Sequence, residues 1–505
     1  MHSTYEELCS HTRETALLSS AQAVLEWDER TRLPAAGGEY RAEQVTQLAG
    51  LIHEKQTSPQ VGEWLEVLAT SPLAADPHSE TGAVIGQLKR DYEKKAKLPQ
   101  SLVEELAHTA VTGQRLWAEA RQEDDFSRFQ PLLEKTLDLK RQEAAAVGFT
   151  DSVYDPLLDD YEPGAKTADV AQVLSELRNA LVPLVEQIKA SDRAPNVKLL
   201  TGDYPIALQE AFGKQVAEAM GFRFRAGRLD VTDHPFCTTL GPHDICLATR
   251  YHEQSLVGGL FSTMHEAGHG IYEQGLPAEN FGLPTGEAVS LGIHESQSRM
   301  WENLVGRGRD FWEHFYPVGQ AAFPAGFRNV SLDDFYFAIN DVRPSLIRTE
   351  ADEVTYNLHI LIRFELEIAL LEGTLAVADL PDAWNEKYQT YLGIEPPDHR
   401  DGVLQDIHWS AGLFGYFPTY ALGNLYAAQF FGQARQELGD LDDLVRKGQF
   451  EPLREWLRSN IHQWGRRYTP TELVKKITGN PLSHAALLSH LRGKFGPLYA
   501  LEGAA

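Results

Sequence analysis

Two histidines four residues apart, with a glutamate directly after the first, constrain this chain more than any other feature: His265-Glu266-Ala267-Gly268-His269. Side chains four apart lie on one face of a helix, so the segment must be helical for both imidazoles to meet one ion. At metal–nitrogen distances of about 2.0 to 2.1 Å, both rings can ligate a single Zn²⁺. Glu266 then points beside the ion, where it can take a proton from water and pass it to a leaving amine. His-Glu recurs at His53-Glu54, His252-Glu253 and His294-Glu295, and none of these has a second histidine four residues on. Leu256, Leu260 and Met264 step by four ahead of the motif, while Gly275 and Pro277 read as a cap and a stop.

A catalytic zinc site takes three protein ligands and keeps one position open. The metzincin continuation requires Gly at 272 and His at 275, but Tyr272 and Gly275 stand there, which excludes that class. Two downstream acids compete for the third place. Glu287 follows Thr285-Gly286 at an expected helix start, where an acid complements the helix dipole without any metal. Glu295 shares a helical face with Ala288, Leu291, Ser298 and Glu302; a carboxylate there either pairs with Arg299 or binds something inside. Glu295 is the expected ligand. Two imidazoles and a carboxylate suit Zn²⁺, and Co²⁺ or Mn²⁺ can use the same set.

The rest of the chain narrows the setting. Over 505 residues no Ser/Gly-rich linker or low-complexity run divides it, so one large cleft-containing domain, 1–505, is expected. No stretch approaches the ~18 to 20 apolar residues of a membrane span. The opening Met1-His2-Ser3-Thr4-Tyr5-Glu6-Glu7 lacks a basic leader, and Cys9, Cys237 and Cys246 are too scattered for a disulfide framework; both point to the cytoplasm. A net charge of −26 argues against nucleic-acid or anionic-membrane partners and serves solubility.

Periodicity is overwhelmingly helical, near 3–28, 41–54, 99–122, 126–147, 167–190, 353–372 and 481–494. Strand signals are confined to Phe222–Arg225 and Ile245–Tyr251, around the turn at Gly241-Pro242. They predict a small antiparallel sheet before the motif helix, whose edge an extended peptide could join. No fixed-period repeat supports a solenoid.

Taken together, these words resemble the thermostable carboxypeptidase (carboxypeptidase Taq) family of metallocarboxypeptidases. The resemblance rests on His234-Pro235-Phe236, the HExxH, and His294-Glu295-Ser296 leading to Trp301-Glu302-Asn303. It extends to Ile347-Arg348 with Ala351-Asp352, to Gly402 with Gln405-Asp406 and His408-Trp409, and to the early Trp27-Asp28 and Pro34. It implies a mainly α, two-lobed zincin-type fold with a deep groove, related in architecture to the angiotensin-converting-enzyme and neurolysin type. It further implies a homodimer that removes single C-terminal residues from peptides with free C-termini.

Carried over by position, the resemblance makes His265, His269 and Glu295 the metal ligands and Glu266 the general base. Arg348 would receive the substrate's C-terminal carboxylate, a charge-assisted match that guanidinium makes well; its structural alternative is an ion pair to Glu350 or Asp352. His408 and Tyr420 are candidate donors to the developing oxyanion, and Tyr416 and His234 candidate substrate contacts. Buried Tyr and His also serve simply to satisfy a core. One family word, Asp-x-Arg-x-Thr, is replaced here by Asp244-Ile245-Cys246-Leu247-Ala248, with Arg250 a possible substitute if it shares a strand face with position 246. The rival readings are an endo-acting oligopeptidase on the same scaffold and a catalytically idle peptide binder.

Overall fold

The computed structural model describes residues 1–501. They form a mainly helical chain with one three-stranded sheet, and among them no helix is long and apolar enough to cross a membrane. Two compact units emerge, each assembled from three separate stretches. The first takes Met1–Ala96, Asn196–Ile339 and Phe430–Gly479; the second takes Lys97–Pro195, Asn340–Gln429 and the stretch from Asn480. Such interleaving leaves no contiguous boundary, which is why a linker search finds none.

In the first unit, the long helix His2–Thr31 packs Leu8 against Val61, Leu65 and Leu68 of Pro59–Ala69 and Ile85 of Glu80–Ala96. Further along, Trp27 closes over Leu240, Cys246 and Ala248 of the sheet. The sheet consists of β1 (Gly227–Val231), β2 (Phe236–Gly241) and β3 (Asp244–Thr249), with β3 in the middle. β2 runs antiparallel to β3 with an irregularity between Thr239 and Gly241, whereas β1 runs parallel to it. The sheet is therefore mixed, not antiparallel as expected. Phe222–Arg225 is not a strand: Gly221, at φ +114°, ends the helix Ile206–Met220, and Phe224–Ala226 forms a 3₁₀ turn. The aromatic alternation there reflects Phe222 and Phe224 packing edge to face at 5.0 Å.

Cys246 and Ala248, the departure from the family word, point into the buried contact with Trp27. Arg250 lies beyond the end of β3, exposed, and donates from Nη1 to the Asp233 carbonyl at 3.3 Å, so it does not replace a guanidinium at 246.

The motif helix, Leu256–Gly275, is buried on most of its surface, and Pro277 follows its end as expected. Gly268 lies where the next helix, Leu291–Arg299, crosses: a Cβ there would fall 2.7 Å from Ser298 Cα and 2.8 Å from the Gln297 carbonyl oxygen. Only glycine permits backbones to approach so closely. Leu291–Arg299 is capped by Ser290, whose hydroxyl accepts from the Ile293 amide, and it runs straight into a π-helical segment, Met300–Gly306.

The second unit is built around Tyr356–Glu372, almost wholly buried yet carrying His359, Arg363 and Glu367 at four-residue steps. Just before it, Glu353 accepts from Lys494 Nζ at 2.6 Å and faces His490 Nε2 at 2.7 Å, fastening the helix Ala485–Tyr499. Burial works against this carboxylate, but the two cations outweigh it and lower its pKa to about 2. Because the folded value lies below the unfolded one of about 4.3, the contribution is complete above that pH and disappears as pH falls toward 2. We expect the stability gap between wild type and Glu353→Gln to narrow by roughly 3 kcal/mol from pH 5 to pH 2 in urea titrations. A constant gap would refute this coupling.

Candidate metal centre

The crossing at Gly268 brings His265 and His269 against Glu295. Glu295 Oε2 lies 3.5 Å from Nε2 of each histidine, and the three ligand atoms fall within 4.8 Å of one another. The other carboxylate oxygen, Oε1, accepts from Arg299 Nε at 2.7 Å. Both roles anticipated for a carboxylate on this face are thus filled by one group, an oxygen for each.

Neighbours occupy the opposite edge of each imidazole. His265 Nδ1 meets Glu302 Oε2 at 2.9 Å, and His269 Nδ1 meets His294 Nδ1 at 2.5 Å. With both Nδ1 atoms engaged, both Nε2 atoms face Glu295 Oε2. The donor set, two imidazole nitrogens and one carboxylate oxygen with supporting carboxylates behind, fits a divalent cation.

Electrostatics favour the ligating forms. Burial, reinforced by His294, drives His269 down to about 3 and keeps it neutral. Burial also depresses His265, but Glu295, Glu302 and Glu266 outweigh it and the net shift is upward, so an incoming ion must displace a proton there. Glu295 resists burial through Arg299 and both imidazoles and stays ionised, its pKa well below the usual carboxylate range. Glu302, held by Arg299, His265 and Arg307 against burial, sits near 2. Glu266 is the exception: burial, with Glu295 and Glu302 adding, raises it to about 7 despite His265. A carboxyl poised near neutrality beside a metal-ligating triad has the proton affinity a general base needs.

Glu287 takes no part in the centre. It lies in extended backbone after the 3₁₀ turn Pro284–Gly286, not in a first helical turn, and pairs with Arg466 at 3.1 Å. The helix begins only at Leu291.

In the second unit, Arg348, His408, Tyr416 and Tyr420 gather together. Arg348 pairs with neither Glu350 nor Asp352; its Nε and Nη2 both reach Asp406 Oδ1 at 2.9 Å, and Nη1 reaches the Tyr356 hydroxyl at 3.2 Å. The fully buried Arg363 places Nε and Nη2 on the other oxygen of Asp406, each at 2.7 Å. Held by both guanidiniums against burial, Asp406 stays ionised. His408 stacks on Phe417 at 4.4 Å, with Nε2 3.4 Å from the Tyr420 hydroxyl. Burial, aided by Arg348 and Arg363, lowers it to about 4, so at neutral pH it can offer only a neutral N–H. Tyr416 packs edge to face on Tyr161 at 5.1 Å and on Tyr420 at 5.4 Å. His234 is not in this group; it lies exposed in the connection from β1 to β2 of the first unit.

Several participants were not singled out from sequence as part of a site. Glu302 stands seven residues after Glu295 on the face already traced, and Glu273 one turn after His269; the spacing was the available signal. Asp406 and Arg363 had weaker signals, since their pairing joins positions 43 residues apart.

Comparison with known proteins agrees over nearly the whole length. Residues 7–495 match the model of a family described as "Carboxypeptidase Taq (M32) metallopeptidase". Thermostable carboxypeptidase 1 of Thermus thermophilus is 46% identical, covering 98% of this chain and 99% of the relative. Carboxypeptidase 1 of Bacillus subtilis is 39% identical, covering 99% and 100%. The crystal structure of an M32 carboxypeptidase from Deinococcus radiodurans R1 superposes with a TM-score of 0.95 at 41% identity, covering 99% of this chain and 100% of that one.

Proposed function

This chain belongs to the carboxypeptidase Taq (M32) family of metallopeptidases, and from that membership we propose that it is a zinc-dependent metallocarboxypeptidase releasing single C-terminal residues from peptides. The observation that carries the proposal is the meeting of His265, His269 and Glu295 with Glu266 next in sequence to a ligand. These three side chains would hold the ion. When bound, it supplies a Lewis acid for the scissile carbonyl and makes water more acidic.

The protein's own residues then do the following. Glu266 removes a proton from the attacking water and returns it to the departing amine. Arg348, its guanidinium fixed in one plane by Asp406, receives the terminal carboxylate of the substrate. His408 and Tyr420 donate hydrogen bonds to the developing oxyanion, while Tyr416 and His234 contact the substrate chain. The same reading carries a homodimer, tested by light scattering, and a cytoplasmic location in two lobes around a groove.

The decisive experiment joins metal analysis to digestion of one peptide with a free and an amidated C-terminus, read by mass. Stepwise loss from the free peptide alone, with about one Zn²⁺ per chain, supports the reading; equal turnover of both, or internal cuts, rejects it. For Arg348→Ala we expect kcat/KM on free C-termini to fall about 10- to 100-fold, the range of a charge-assisted hydrogen bond, with metal content unchanged. An unchanged kcat/KM would remove Arg348 from substrate recognition.

A further inference from the structure

His269 is backed by another histidine, not by a carboxylate, and that leaves a choice which the next residue in the chain of contacts must make. His294 Nδ1 lies 2.5 Å from His269 Nδ1, and two imidazole nitrogens at that separation share one proton. If His269 donates, its Nε2 carries a lone pair toward Glu295. If His294 donates, a neutral His269 bears its proton on Nε2, and that position is closed to a metal.

On its far side, His294 Nε2 meets Glu273 Oε1 at 2.8 Å, and Glu273 Oε2 accepts from the Thr239 hydroxyl of β2 at 2.7 Å. His294 and Glu273 support each other against burial, and Glu273 stays ionised through His294 and Thr239. An ionised carboxylate can only accept. His294 must therefore donate from Nε2, which leaves its Nδ1 as an acceptor and obliges His269 to donate.

We propose that Glu273 is a positioning residue that sets the proton direction along Thr239–Glu273–His294–His269 and so holds His269 in its metal-binding tautomer. The inference rests on the reading that His265, His269 and Glu295 hold the metal. Glu273 stands four residues after His269 on the motif helix and reaches it only through a residue of the next helix, so the relay also fastens β2 and both helices to one ligand.

The test is competition titration of the apoprotein with Zn²⁺ and Co²⁺, together with the visible spectrum of the Co²⁺ form at saturation. For Glu273→Leu we expect 10- to 100-fold weaker affinity for both ions and an altered Co²⁺ ligand-field band, as outer-shell changes at metal sites produce. Glu273→Gln keeps the shape and carries the test if the leucine variant does not fold; its amide can present either acceptor or donor, and about tenfold weaker binding is expected. Affinities within about twofold of wild type, with an unchanged Co²⁺ spectrum, would overturn the proposal. Wild type that binds neither ion would instead overturn the metal-site reading, so the two failures are distinguishable.

Discussion

Glu266→Gln is expected to lower kcat by about 10³-fold or more while leaving metal content and fold as they are. The amide has the shape of the carboxylate and can still hydrogen bond, but it cannot take a proton, and general-base assistance contributes on the order of 10² to 10⁴. The buried setting strengthens the expectation: desolvation and two neighbouring carboxylates lift Glu266 to about 7, so this group, unlike Glu295 or Glu302, holds and releases a proton near neutral pH. A bound divalent ion pulls that value down, as any nearby positive charge must. Because Glu266 is not one of the three grouped ligands, metal binding should survive. Paired metal analysis and peptide turnover check this; a variant retaining a tenth of wild-type turnover would eliminate Glu266 as the base.

The largest expected effect on stability comes from Asp406→Asn. Arg348 and Arg363 both place two nitrogens on this one carboxylate, and neither guanidinium is appreciably exposed. Removing the negative charge leaves two buried cations facing a neutral amide, a change that costs about 3 to 5 kcal/mol when a buried ion pair loses one partner. Gln405 cannot make up the loss: its carbonyl oxygen already accepts from Arg363 Nη2 and from the Arg348 amide. Denaturant unfolding monitored by tryptophan fluorescence should register the drop. The exposed pair Arg435–Asp442 is the contrast, since Asp442→Asn should leave the midpoint unmoved. Equal effects from the two substitutions would mean that Asp406 is better solvated than its surroundings indicate.

How much of this could be read from sequence followed from the range of the interactions involved. The motif helix and Glu295 were legible because one-turn spacing and a shared helical face are properties of neighbouring residues, as were the helices at 126–147 and 167–189. The sheet was only half legible. β3 carries a buried run, but β1 and β2 offer Gly227-Arg228-Leu229-Asp230-Val231 and Phe236-Cys237-Thr238-Thr239-Leu240, with little apolar alternation, and β1's parallel pairing depends on a non-local contact. Asp406 looked like one more acid in an acidic chain until Arg348 and Arg363 were seen on either side of it. His359, Arg363 and Glu367 could have been noticed as a polar stripe along an otherwise apolar helix. Their partners, Tyr388, Asp406 and Trp409, come from other segments and carry no local mark.

The glycine inside the HExxH word has a consequence for which ions the protein accepts. Where two helices touch main chain to main chain, their separation cannot shrink and is costly to stretch, unlike a gap spanned by long side chains that can switch rotamer. Gly268 creates such a contact between the segment bearing both imidazoles and the one bearing Glu295. The aperture between the ligands is thus gauged by the thickness of two peptide backbones. An ion of zinc's radius settles into it, whereas a larger one must wedge whole helices apart.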